Sequence, residues 1–264
     1  MIANILTIAG SDSGGGAGIQ ADIKTISALG GYALSVVTAI TAQNTRGVDA
    51  VKLVDEQLVR AQLRSVISDI RIDAVKIGML GSFEIIQAVA EEIGELVDRH
   101  IPIILDPVMV AKSGDKLLND DAVNALKSTL LPISTLVTPN LPEAAVLLNT
   151  NEAGSRSDME GQSTSLQQLG VKLVLLKGGH LDADDSPDLL TTTESKAWYE
   201  GRRRKTQNTH GTGCTLSSAI ATCLGQGMSV HQSIERSKAY IVGAIESADL
   251  LQVGEGHGPT NHFW

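Results

Sequence analysis

Short apolar runs, each closed by a glycine or a polar residue, alternate along this chain with segments of helical spacing. Asn4–Ala9 reads as a buried strand that runs into Gly10. Ala33–Ile40 is β-like and leads to the amides Gln43 and Asn44, and Val48–Val54 is a further strand. Ala74–Ile77 ends at Gly78 and Met79, Ile101–Leu105 at Asp106, Thr135–Thr138 at Pro139 and Asn140, and Val171–Leu176 at Lys177. Between these runs, Ile19, Ile23, Ile26 and Leu29 share one helical face, as do Val59, Leu63, Val66, Ile67 and Ile70. Helices are also expected over Phe83–Val97, around Asp121–Leu131, and through Val230, Ile234, Ile241 and Ile245. Asn149–Gln162, with its Gly, Ser and acidic content, reads as a surface loop. Strand–helix alternation implies an α/β fold, a mostly parallel sheet with helices on both faces. Such sheets take ligands at the carboxyl ends of their strands. The polar and glycine residues gather at those expected ends.

Composition narrows the class of function. The chain has 264 residues, 42% of them hydrophobic, which fills one larger domain and forces no second one. A net charge of −9 argues against a broad nucleic-acid surface, which needs a basic footprint. The one basic run, Arg202–Lys205, reads as solvated strand or turn, and the acidic stretch Leu181–Asp188 as solvated loop. Two cysteines without motif spacing fit a reducing compartment. No signal-peptide pattern opens the sequence and no apolar run nears the ~20 residues of a membrane span. The expectation is a cytoplasmic protein with neither nucleic-acid nor membrane partner.

The strongest chemical signal is Asn208–Ser218. Gly211 and Gly213 stand just before an apolar helical face of Leu216, Ala219, Ile220, Cys223 and Leu224. A glycine turn feeding a helix aims unpaired N–H groups and the positive dipole end at one point, which favours an anion such as phosphate. Cys214, at the head of that helix, is expected to have a lowered pKa and to be a candidate base. Cys223 falls on the apolar face and reads as core. Anion site and base together suggest phosphoryl transfer. The alternative is a plain turn with a small packed thiol.

The other candidates carry similar alternatives. Gly10–Gly18 is a glycine-rich turn, but it has neither the Gly-Lys-Ser/Thr of a phosphate loop nor the dinucleotide pattern. It reads as a pocket wall or a tight connection. Gln43 and Asn44 suit a heteroaromatic ring edge, or ordinary turn chemistry. Asp106 suits hydrated Mg2+, or a strand-end turn. Asn140 and Glu143 form a capping box by their spacing and could also face a metal–phosphate complex. Lys177, after an apolar run, is placed to meet phosphate. His210, His257 and His262 do not form a clear zinc set.

Taken together, Gly10–Asp22, Thr41–Thr45, Asp106–Gly114, Thr138–Glu143, Lys177–His180, His210–Cys214 and Gly256–Pro259 resemble the hydroxymethylpyrimidine/phosphomethylpyrimidine kinases of thiamine biosynthesis, in the ribokinase-like superfamily. The resemblance covers nearly the whole chain in order. It implies a ribokinase-like three-layer α/β/α sandwich over residues 1–264, a homodimer, and two successive ATP-dependent transfers. The first would phosphorylate the hydroxymethyl group of 4-amino-5-hydroxymethyl-2-methylpyrimidine, and the second would make the diphosphate. It implies that Gln43 binds the pyrimidine edge, with Gly10, Asp22, Met79 and Val108 around the ring. Gly211, Thr212 and Gly213 would form the anion hole, with Cys214 beside it. Asn140 and Glu143 would sit by the phosphates and Mg2+, Asp106 would help hold the metal, and Lys177 and Lys238 would belong to the ATP side. Gly14 stands where the resemblance leads one to expect serine. Pyridoxal kinase is the rival within the same superfamily, and a pyrimidine-binding protein without turnover is the rival outside it.

Overall fold

After Asn4, every residue of β1 (Asn4–Ala9) is buried, because both faces of the strand are covered. Leu6 and Ile8 point into one core layer and Ile5 into the other. The structure, a computed structural model, describes residues 1–109, 118–181, 185–204 and 206–264. After β1 the chain forms α1 (Gly18–Ala28) and returns as β2 (Tyr32–Val37), parallel to β1. It then leaves the sheet as a hairpin, β3 (Ala39–Gln43) and β4 (Val48–Leu53). α2 (Glu56–Ile67) carries it to β5 (Ala74–Ile77), on the other side of β1.

From there the sheet grows in one direction. α3 (Phe83–Glu92) and α4 (Gly94–Asp98) lead to β6 (Ile103–Leu105). α5 (Asp120–Ala125), extended by a π-helical turn at Leu126–Leu130, leads to β7 (Leu136–Val137). α6 (Leu141–Leu148) and α7 (Arg156–Gln167) lead to β8 (Leu173–Lys177). β9 (Asp188–Thr191) and β10 (Lys196–Tyr199) close that edge antiparallel. The last helices are α8 (Thr212–Gly225) and α9 (Val230–Glu246). The sheet order is β10-β9-β8-β7-β6-β5-β1-β2. One apolar layer packs under α2, α3, α5, α6 and α7, and the other under α1, α8 and α9. This is the expected α/β/α sandwich.

Strand order reverses between β1 and β5. A crevice therefore opens there at the carboxyl edge, where ligands bind in sheets of this kind. Asp106, Asn140 and Lys177 follow or end β6, β7 and β8 along the same edge.

Three local expectations need correction. Ala33–Ile40 is not one strand. At Thr38 the backbone N–H still bonds Ala9 and the hydroxyl bonds Met79 O, but the next residues pair with β4 instead of the sheet. Phe83–Val97 is two helices that part at Ile93 and Gly94. Within Asn149–Gln162, the stretch from Arg156 is helix, the start of α7. Ser155 caps it by accepting from Asp158 N, and Met159, Ser163 and Leu166 turn inward while its outer face is polar. Residues 110–114 of the expected Asp106–Gly114 motif, residues 182–184 of the acidic stretch, and Lys205 lie outside the described residues.

Candidate functional site

The glycine-rich turn after β1 is built around one carboxylate. Asp12, 2% exposed, accepts from Gly14 N on Oδ1 and from Gly16 N and Ala17 N on Oδ2. Burial would raise its pKa, but His210 and these N–H groups hold it below the usual value. At Gly211 φ is +79, and an added Cβ would stand 1.8 Å from Gly16 O. Only glycine allows that left-handed bend and that approach. The turn after β1 and the turn before α8 thus lie against each other. Helix α8 then starts with the N–H groups of Gly213 and Cys214 free of intrahelical acceptors.

Facing that helix end is a charged cluster. Lys177 Nζ donates to Asp106 Oδ1 at 3.0 Å. The Thr138 hydroxyl donates to the same oxygen and the Ser217 hydroxyl to Asp106 Oδ2, each at 3.2 Å. A Cβ on Gly213 would lie 3.4 Å from Lys177 Nζ and 3.6 Å from Asp106 Oδ2, so glycine there keeps the helix mouth open to both groups. Burial opposes the charge on Asp106, but Lys177 and Lys76 keep its pKa below the usual carboxylate range. Burial likewise opposes the charge on Lys177, and Asp106 and Glu143 outweigh it.

Glu143 behaves differently. The capping box read from the sequence is present: Asn140 Oδ1 accepts from Glu143 N and Glu143 Oε2 accepts from Asn140 N, both at 2.8 Å. Burial pushes the Glu143 carboxyl up to about 7. Lys177 opposes the shift and Asp106 adds to it. Glu143 is short of positive charge, and its oxygens together with those of Asp106 suit a hard cation that keeps water or phosphate ligands. Among the described residues, no group of three or more His, Cys, Asp or Glu converges to hold a metal.

Cys214 corrects the sequence reading. Burial pushes its thiol up to about 11. The Lys76 charge lowers it, but Asp22 and Asp106 add to the rise. Desolvation is the largest cause, so the thiol is raised rather than lowered as its place at a helix start suggested. Cys223 is buried core, as expected.

The ring-side residues divide. Gly10 and Met79 meet at the strand switch: Gly10 N donates to Met79 O at 3.1 Å, and a Cβ on Gly10 would lie 2.6 Å from Met79 Cε. Val108 follows Asp106 in a tight turn, its N–H bonding Asp106 O at 2.8 Å. Gln43 sits at a bulge in β3 with its Nε2 3.3 Å from His210 Nε2. Asp22, expected around the ring, is instead sealed at 0% exposure. Its oxygens accept from Thr7, Ser218 and Lys76 and have no face left for a ligand. Lys238 bonds Asp188 Oδ2 at 2.6 Å, and Asp188 Oδ1 accepts from Gly178 N, which places Lys238 beside the glycines after Lys177.

Sequence reasoning missed Lys76 and the Asp12–His210 contact. Lys76 carried a visible signal, a lone cation inside the four-residue apolar strand β5. Burial pushes its pKa down, and Asp22, Cys214 and Asp106 together carry it above the ordinary value. Asp12 and His210 meet across 198 residues and carried none. Also unforeseen is a strap near the C-terminus. Gly256 N and His257 N donate to Thr45 in the hairpin turn, His210 N donates to Gly258 O, and Asn261 N donates to Ala244 O.

Comparison with known proteins identifies the family. The phosphomethylpyrimidine kinase family profile matches residues 12–261. A hydroxymethylpyrimidine/phosphomethylpyrimidine kinase of Escherichia coli K12 is 50% identical over 260 residues, 98% of this chain and 97% of the relative. The ADP complex of Bacillus subtilis pyridoxal kinase superposes with a TM-score of 0.91 at 35% identity, over 99% of this chain and 98% of that one. The phosphomethylpyrimidine kinase of Clostridium difficile 630 superposes with a TM-score of 0.80 at 42% identity, over 92% and 99%.

Proposed function

Because this chain belongs to the phosphomethylpyrimidine kinase family and is a phosphotransferase, we propose that it phosphorylates 4-amino-5-hydroxymethyl-2-methylpyrimidine and then its monophosphate, using ATP, in thiamine biosynthesis. One observation supports this most: the open mouth of α8, at Gly211–Cys214, faces Lys177 and Asp106 at one edge of the sheet, with the Gly10–Met79 wall at the strand switch of that edge. Phosphoryl transfer asks a protein mainly to position groups and neutralise charge, and those are the parts present.

In this reading the ring lies against Gly10, Met79 and Val108, with Gln43 at its edge. Its hydroxymethyl group points at Cys214. Within the Gly211–Thr212–Gly213 turn and the start of α8, the N–H groups without intrahelical acceptors, those of Gly213 and Cys214, receive the moving phosphoryl group, and Lys177 neutralises its charge. Asn140, Glu143 and Lys238 line the nucleotide side. Mg2+ would be held by Asp106 and Glu143, directly or through water, and would supply charge neutralisation on the phosphates. With a thiol pushed up to about 11, Cys214 positions the acceptor hydroxyl rather than deprotonating it in advance. The proton leaves late, to the phosphoryl oxygens. The second acceptor is already an ionised phosphate and needs no base.

The whole chain, residues 1–264, acts as one ribokinase-like domain in this reading. The hairpin supports a homodimer in this reading: Ile40, Val51 and Leu53 are exposed on a sheet of only two strands, which is marginal in water without cover. Among the described residues no helix is long and apolar enough to cross a membrane, and with two free cysteines a cytoplasmic setting fits best.

Pyridoxal is the second reading, favoured by the likeness to Bacillus subtilis pyridoxal kinase. ADP release from Mg-ATP, with the pyrimidine, its monophosphate or pyridoxal as acceptor, separates the two. Turnover on both pyrimidines with pyridoxal slow is the expected result. Turnover on pyridoxal alone overturns the substrate assignment, and silence on all three leaves a binding protein.

A further inference from the structure

His210 Nε2 has two polar neighbours and only one proton or one lone pair to offer them. Asp12 Oδ2 is 2.9 Å away and Gln43 Nε2 is 3.3 Å away. Asp12 decides which neighbour is served. Its Oδ2 already accepts two backbone N–H groups and its Oδ1 a third, so it is an ionised acceptor with no proton to give. The imidazole must therefore supply the proton, as Nε2–H donating to Asp12. No lone pair then remains for the Gln43 NH2, and a donor facing a donor is repulsive.

The conflict is relieved by a half-turn of the Gln43 amide. Its carbonyl then faces the imidazole and its NH2 turns away from it, free for a ligand. The backbone beneath it is fixed, because Ser13 Oγ accepts from Gln43 N at 2.7 Å and donates to Gln43 O at 2.8 Å. The imidazole is fixed too, since a Cβ on Gly16 would stand 2.6 Å from its Cδ2.

We propose that Asp12 and His210 are positioning residues that orient the Gln43 amide, so that the pocket selects a ring presenting an in-plane acceptor, a ring nitrogen, at that edge. Neither residue touches the ring. The proposal rests on the reading of Gln43 as the ring's partner.

The test uses the aminopyrimidine and its two pyridine analogues, in which one or the other ring nitrogen is C–H. In the wild-type enzyme, one replacement should lower kcat/KM by ~10- to 100-fold. In His210→Asn, which lacks an Nε2, that discrimination should shrink to within ~3-fold. His210→Gln, whose terminal NH2 reaches the place of Nε2–H, should retain it. If His210→Asn keeps the full wild-type discrimination, the proposal is overturned. Should that variant fail to fold, the 15N spectrum of the wild-type histidines decides. A protonated Nε2 at His210 supports the proposal, and an unprotonated one overturns it. If the wild-type enzyme does not turn over the pyrimidine at all, the pocket reading itself fails and the proposal falls with it.

Discussion

Two lysine–aspartate pairs stand close together in this protein, and only one of them opens onto the start of α8 that the proposed reading uses. Lys76 and Asp22 are both 0% exposed, and every oxygen of Asp22 is taken by the protein. Lys177 and Asp106 are 14% and 2% exposed and open onto the mouth of α8. The first pair is saturated, while the second shares its charge with Glu143 and keeps part of its lysine exposed. The difference teaches that a buried ion pair becomes a site only when the surrounding fold leaves part of it unsatisfied.

Removing one member of the saturated pair should have the largest effect. Lys76→Met leaves Asp22 charged and unpaired, and should cost about 3–5 kcal/mol of stability by urea denaturation. A Lys76→Met, Asp22→Asn double variant should recover much of that loss. A Lys76→Met protein as stable as wild type would break the contrast. Lys177→Met should act on turnover instead, lowering kcat ~100- to 1000-fold with a much smaller change in stability. Comparable unfolding in the two variants would show that the pairs do not differ as described.

Glu143 sharpens the second pair through pH. Its folded pKa of about 7 exceeds the unfolded value, so the folded state binds more protons between about pH 4 and 7. Its contribution to stability is therefore full below that window and is lost as pH rises through it. Glu143→Gln should remove this loss and gain up to about 3 kcal/mol over wild type by pH 7. A ratio of wild-type to variant stability that stays flat with pH would place the carboxyl in ordinary solvent. The smallest effect is expected at Cys214. Cys214→Ser should slow both transfers by a similar factor, ~10-fold or less. A loss confined to the first transfer would return the thiol to the role of base.

Much of the sandwich was legible because strand ends carry their own punctuation. Gly10, Asp106, Asn140 and Lys177 interrupt apolar runs where the sheet stops, and a parallel sheet brings those ends to one edge. The capping box of Asn140 and Glu143 was legible because its partners are three residues apart. The start of α7 was not, since a polar outer face and few inward residues look like loop when read in one dimension. Its cap, Ser155 with Asp158, was the signal available. Burial was least legible of all. The thiol of Cys214 follows its desolvated surroundings rather than its place at a helix start, and nothing local to Asp22 announces the lysine from β5 that claims it.

The strap over residues 256–261 bears on the protein's synthesis. It ties the hairpin turn at Thr45 to the turn before α8, one partner made early in translation and the other late. The central strands have their neighbours well before then, and can collapse while the chain is still emerging. The fastening cannot. Until residue 261 has been made, the nascent chain can hold most of its core but not the tie between the Thr45 turn and the turn before α8, and activity should appear only once that segment is in place.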